Sequence, residues 1–215
     1  MQNQALVLCY PHKRCLIETE SDLQEGIDYY CRRHKSKPTT IMARCQHEFQ
    51  TELARVRKTS NSVYLLVWVN DSGEICDLGE GLSSNPNDKV VLSGIHVDSN
   101  QCYDPDEQAP DFHTIFEQII ENNLLVAGFH CTDCVPEFAL QARRRGFTAT
   151  IAPRLTDAYH INARHAYIDG NSPNPLPEEM DIRQYKQFFS YLTHRNFDWW
   201  FPPHRYRKLH QTLTK

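Results

Sequence analysis

The stretch "NNLLVAGFHCTDCVPEFALQARRRGFTATIAPRLTDA", residues 122–158, decides how this chain is to be read. "LLVAGF" is a short apolar run that reads as a buried strand. "VPEFALQARRRG" reads as a helix ending at Gly146, and "FTATIAP" as a second strand. Between the first strand and the helix lie two cysteines, a histidine and an aspartate within six residues, 129–134. A strand, a turn and a helix returning to a strand is the unit from which parallel sheets are built.

Working outward, the same alternation continues. "FHTIFEQIIENN" is an amphipathic helix, and "DKVVLSG" a strand. "SVYLLVWV" (62–69) is almost continuously apolar, the pattern of a strand covered on both faces. "QHEFQTELARVRK" spaces Phe49, Leu53 and Val56 for burial along a helix, and "TTIMARC" (39–45), rich in β-formers, reads as the strand before it. Strand and helix thus alternate from about 39 to 153, which predicts an α/β fold: a three-layer α/β/α sandwich around a mostly parallel, Rossmann-like sheet. Ahead of it, "ALVLCY" (5–10) reads as a strand that "PHKR" turns back into "CLIET". Ser21 caps a helical pattern carrying Leu23, Ile27, Tyr30 and Cys31, which Lys37-Pro38 ends. Behind it, "GNSPNPLPEEM" (170–180) is a loop, "DIRQYKQFFSYL" a helix, and "NFDWWFPPHRYRKLHQTLTK" an aromatic and basic tail. The expected organisation is an α/β domain over 1–170 with an N-terminal β/α addition, then a helical, aromatic and basic extension over 171–215.

Composition narrows the function classes. With 23 basic and 27 acidic residues the net charge is −4, so nothing global points to nucleic acid. Seven Lys/Arg against the single acid Asp198 from Arg183 onward make the tail a candidate for docking a protein partner or a second copy of the chain. No apolar run approaches the roughly 18 residues a membrane helix needs, and the N-terminus lacks the pattern of a secretory signal. Eight cysteines scattered through 215 residues fit a reduced, cytoplasmic protein better than a disulfide scaffold.

The cysteines at 131 and 134 admit several chemistries. A structural zinc needs four ligands, and there is neither a second C-x-x-C nor a His pair at finger spacing, so no metal and no cofactor is implied. A C-x-x-C at a strand-to-helix junction also fits a thiol-redox pair, Cys131 with Cys134, because a helix N-terminus lowers the pKa of an exposed thiol. The bland alternative is a turn whose cysteines are small buried apolar residues.

The whole block 122–158 resembles the isochorismatase-like cysteine hydrolases, a group that includes nicotinamidases, N-carbamoyl amide hydrolases and isochorismatase. The residues carrying the resemblance are Gly128, Thr132-Asp133, Cys134-Val135, Gly146 and Asp157-Ala158. "NPNDKVVLS" (85–93) and "IMARCQHEF" (41–49) extend it upstream, to about 39–158. The resemblance implies that Cys134 is the nucleophile, and that backbone N–H groups form an oxyanion hole beside a cis peptide at Phe129–His130. It implies too that an Asp on the first strand shuttles a proton and that a Lys assists. In this alignment the Asp position holds Arg44 and the Lys position Ser93; taking "ALVLCYP" as the first strand puts Tyr10 in the Asp position instead. Lys89 points to the same face as Ser93 but lies about 13 Å along the strand.

An arginine does not give up its proton. Arg44 would favour a thiolate at Cys134 without shuttling a proton, and an amine leaving group departs poorly without one. Replacement bases are His130, four residues from Cys134, and His47 or His96 with Asp98 after strand ends. Asp133 reads as a helix cap. The sequence therefore predicts a diverged cysteine hydrolase with possible C–N chemistry on a small-molecule substrate, with a partner-binding pseudoenzyme and a thiol-redox protein as alternatives.

Overall fold

The computed structural model describes residues 4–12, 38–78, 85–97, 109–128, 134–156 and 176–194. Its elements are β1 (Gln4–Cys9), α1 (Pro38–Thr59), β2 (Ser62–Asn70), β3 (Lys89–Val97), α2 (Phe112–Glu117), β4 (Asn123–Gly128), α3 (Cys134–Arg144), β5 (Thr148–Thr156) and α4 (Ile182–His194). The five strands form one sheet in the order β3-β2-β1-β4-β5, and every neighbouring pair is parallel. The α/β class with a parallel, helix-flanked sheet is as the alternation of elements predicted.

Burial along each strand explains its place. Ala5 to Cys9 and Val63 to Val69 are buried without interruption, so β1 and β2 sit inside the sheet with both faces covered. In β3 burial alternates: Val91, Ser93, Ile95 and Val97 face inward while Val90 and Leu92 are exposed, as befits an edge strand with one covered face. The opposite edge is shielded by an antiparallel bridge, in which Ile151 and Met180 exchange both backbone hydrogen bonds at 2.8 Å.

Two sequence expectations need correction. Residues 39–45 are not a strand; they are the first two turns of α1, which begins at Pro38. The β-branched run Thr39-Thr40-Ile41 favours a strand only weakly, whereas Pro38 suits the first helical position and the helical spacing of Phe49, Leu53 and Val56 runs through the same segment. Conversely, "ALVLC" is no addition to the sheet but its middle strand, hydrogen-bonded to β2 on one side and β4 on the other. Both edges of β1 are thus occupied, which leaves no place beside it for a hairpin partner. "CLIET", the helix expected from Ser21 and the aromatic tail lie outside the described residues.

The helix expected over 112–123 is shorter than its pattern. Asp111 caps it by accepting from the backbone N–H groups of His113 and Thr114, both at 3.2 Å. It stops at Glu117 because Ile119 turns into the core and the Ile120 N–H is taken by the Tyr64 hydroxyl at 3.3 Å.

By the right-handed rule for parallel crossovers, α1 falls on one face of this sheet and α2 and α3 on the other. Ring contacts join the latter two: Phe116 meets Phe138 at 5.0 Å and Phe147 at 5.2 Å, with Phe112 at 6.3 Å from Phe138. Chain progression reverses between β1 and β4, and the crevice beyond the carboxyl ends of these two strands is where an open α/β sheet places its ligands. Among the described residues no helix is long and apolar enough to cross a membrane.

Candidate functional site

At the reversal point Cys9, the last residue of β1, lies directly opposite Gly128, the last residue of β4. The two backbones are pressed together. A Cβ on Gly128 would stand 2.2 Å from the Cys9 carbonyl oxygen and 2.6 Å from its nitrogen, and Gly128 has φ +105°. No other residue type fits that space without moving a strand. The glycine of the 122–158 block is thus required by a close approach of two strands.

Six residues after this contact, α3 opens with Cys134. The sequence placed this thiol at a strand-to-helix junction, and it is there, half-buried and packed against the edge of the core. Its neighbour across the junction is Cys9, fully buried. Burial, and then the charge of Cys134, push the Cys9 thiol well above its ordinary value, so Cys9 stays protonated.

Past Cys9 the chain does not stop cleanly. Tyr10 is 2% exposed and takes a left-handed φ of +50°, an uncommon conformation for a bulky residue. Its N–H still reaches the Leu66 carbonyl at 2.8 Å, extending the ladder one step, and its ring stacks on Trp68 with centroids 5.3 Å apart. The strand that borders β4 therefore ends in Cys9-Tyr10. The end of the first strand is where the resemblance implies a proton-shuttling acid, and this chain places a thiol and a phenol there.

The remaining expected site residues disperse. Arg44 belongs to α1 and not to a strand end, and its side chain is not among those described; β1, the strand beside β4, runs into Tyr10 instead. Ser93 is on the edge strand, fully buried, three strand spacings or roughly 14 Å from β4. Its hydroxyl accepts the Ile95 N–H at 3.3 Å and its carbonyl the Asp111 N–H at 2.8 Å. These bonds sit at a bulge where the β2–β3 register shifts between Val67 and Val69 and Gly94 takes φ +79°. A serine there shapes the strand and is too short to reach Cys134.

Lys89 lies at the opposite end of β3. Its ammonium donates to the Tyr64 hydroxyl at 3.1 Å and lies 4.8 Å from that ring's centroid, while Tyr64 donates to Glu121 at 2.7 Å. This network closes the amino-terminal edge of the sheet, as its distance from Ser93 foretold. His47 is exposed within α1, its carbonyl accepting the Thr51 hydroxyl at 2.8 Å, and does not follow a strand. His96 is on the exposed face of β3, opposite Val69. Phe129, His130, Cys131 and Asp133 lie outside the described residues, as does Asp98.

The structure adds one histidine that the sequence had placed in a turn. His12 is fully buried and stacked on Trp68, with centroids 4.5 Å apart and planes at 3°. Its Nε2 accepts the Trp68 backbone N–H at 3.1 Å, and its Nδ1 is 3.1 Å from the Cys76 carbonyl. A backbone N–H can only donate, so Nε2 is bare and Nδ1 carries the proton. Burial lowers its pKa to about 4, against the opposing pull of the Cys76 and Asp77 backbone.

Solved structures similar to this chain include three of the isochorismatase and pyrazinamidase kind. An isochorismatase family protein matches over 73% of this chain and 81% of its own, at 15% identity and a TM-score of 0.43. An isochorismatase from Pseudomonas putida KT2440 matches over 90% of this chain and 84% of its own, at 14% identity and a TM-score of 0.45. A pyrazinamidase of Pyrococcus horikoshii, solved in complex with zinc, matches over 90% and 96% respectively, at 11% identity and a TM-score of 0.39. No family model matches the chain, and no curated protein matches it. At this level the likeness is one of fold and assigns neither activity nor substrate to this chain.

Proposed function

We propose that this protein is a diverged isochorismatase-like cysteine hydrolase that keeps its nucleophile and has lost its proton shuttle. One observation carries the reading: Cys134 opens α3 at the sheet's reversal point, while the β1 end beside it presents Cys9 and Tyr10 instead of a carboxylate. The first turn of a helix offers unpaired backbone N–H groups that favour a thiolate. A thiolate there attacks an acyl carbon whether or not an acid is present. Release of the leaving group is the step that suffers. An amine must be protonated to depart, and neither the buried, protonated Cys9 nor the Tyr10 phenol matches a carboxylate that cycles near neutral pH. Leaving groups that depart as stable anions need no such help.

The substrate class that fits is therefore an activated ester, thioester or carbamoyl ester, with amides turned over slower by the roughly 10²–10⁴-fold that general acid–base help supplies. The test is to mix the protein with a p-nitrophenyl ester and weigh it. One acyl group on the peptide containing Cys134, absent from Cys134→Ala, is the expected result; no adduct sinks the proposal. The burial of Tyr10 where an exchangeable acid would stand also favours a second reading, a non-catalytic binding protein, and the absence of any adduct is what that reading expects.

A further inference from the structure

The segment that leaves β1 is held by the Tyr10 N–H on the Leu66 carbonyl, by a bridge from His12 to Leu78, and by the His12 imidazole. β1 ends at Cys9, but β2 runs on to Asn70 and so has ladder groups to satisfy beyond the reach of its neighbour. The Trp68 N–H is one of them, buried in the sheet's interior, and an unpaired donor there is costly. His12 supplies the missing acceptor from its side chain while its Nδ1–H donates to the Cys76 carbonyl, so a single ring ties together the chain after β1, β2 and the segment after β2. The backbone between is tight. The His12 N–H donates to the Tyr10 carbonyl at 2.7 Å across Pro11, and Tyr10 is held at a φ that an unrestrained tyrosine rarely adopts.

We propose that His12 is a proton-operated latch: its neutral ring completes the β2 ladder, and taking up a second proton releases the Tyr10–His12 strap that borders the Cys134 end of the sheet.

The chemistry is forced by the geometry. A doubly protonated ring presents N–H at both nitrogens, so Nε2–H would face the Trp68 N–H donor to donor. The groups packed around the ring compensate too little, since burial outweighs the pull of the Cys76 and Asp77 backbone. They are the indole of Trp68, the phenol of Tyr10 and the backbone around Cys76, Asp77 and Leu78, with the Asp77 and Glu74 carboxylates exposed to solvent. The imidazolium is stable only where water reaches it, which requires the strap to lift. Tyr10 is strained while the strap is down, so release also lets it return to an ordinary backbone conformation. Because the folded state needs the neutral ring, the latch is fully closed above the ordinary histidine value of 6.5 and weakens as pH falls toward the folded value of about 4. The latch does not depend on whether Cys134 is a catalyst.

The experiment is hydrogen exchange read by NMR on the intact chain, with the histidine rings followed in parallel. At neutral pH the His12 ring should be protonated at Nδ1 and bare at Nε2. Protection of the Trp68 amide, corrected for intrinsic exchange, should fall about tenfold by pH 5.5 and approach a hundredfold by pH 4.5, as linkage to a 6.5-to-4 shift requires. Amides at Val126 and Ile151, on β4 and β5, should hold. His12→Gln keeps an acceptor and a donor without a titrating group and should abolish the pH dependence; His12→Phe keeps the stack alone and serves if the first variant fails to fold. A flat Trp68 profile, an equal fall in the variants, loss of protection across the whole sheet at the same pH, or a ring protonated at Nε2 would overturn the latch.

Discussion

Gly128→Ala is the sharpest test of how this site is built. The added methyl would lie 2.2 Å from the Cys9 carbonyl oxygen, where about 3.2 Å is tolerable, so β1 and β4 must separate by roughly 1 Å. Neither contacting atom can rotate away, because both belong to the backbone of the middle strand. Overpacking of this kind costs roughly 1–3 kcal/mol, and a side chain at φ +105° adds a further 1–3 kcal/mol or so. The expected loss is about 4 kcal/mol, a large part of the roughly 5–15 kcal/mol that holds a domain of ordinary stability. Gly73→Ala is the control: it also sits at positive φ, +79°, but has open space around it, so only the conformational cost of about 1 kcal/mol remains. Urea unfolding of the three proteins measures both differences. A Gly128→Ala loss no larger than that of Gly73→Ala would refute the close approach of β1 and β4.

Thiol reactivity follows burial: iodoacetamide on the folded protein should label Cys134 while the peptides carrying Cys9 and Cys76 stay unlabelled until denaturant is added, and equal labelling of Cys9 would place it wrongly. Asp88→Ala should destabilise by about 3 kcal/mol in the same urea assay, since it strands Arg57, paired at 3.0 Å with both side chains mostly buried, and removes the acceptor of the Asn85 N–H. At Glu52, hydrogen bonds from Arg55 outweigh burial and hold the carboxyl below its ordinary 4.5. Its contribution is therefore present above that value and lost as pH falls through the lower folded one, and Glu52→Gln should flatten this acid limb in thermal melts; an unchanged limb would show that the pair contributes nothing.

Much of the fold was legible because its signals are local. The continuous apolar runs at 62–69 and 124–128 read directly as buried strands, and the 122–158 block set Cys134 at the start of its helix. What misled was a competition between two candidates for one strand. "TTIMARC" has the better β-formers, but "ALVLC" is apolar at every position, the mark of a strand covered on both faces, and that signal pointed to the middle of the sheet. The misplacement put Arg44 at a strand end, whereas it belongs to α1. His12 was beyond reach for another reason: its role comes from a lone N–H on β2, 56 residues away, and no pattern around "PHKR" records that pairing.

The account stands or falls on what Cys134 does when the leaving group changes. Rates should be measured for one acyl group carried as a p-nitrophenyl ester and as the matching primary amide, with Cys134→Ala beside the wild-type chain. The prediction is prompt, Cys134-dependent release of p-nitrophenolate with amide turnover at or near the level of the variant. Sustained Cys134-dependent amide hydrolysis comparable to the ester rate would contradict it, because it would require a proton donor at the end of β1 that Cys9 and Tyr10 do not provide.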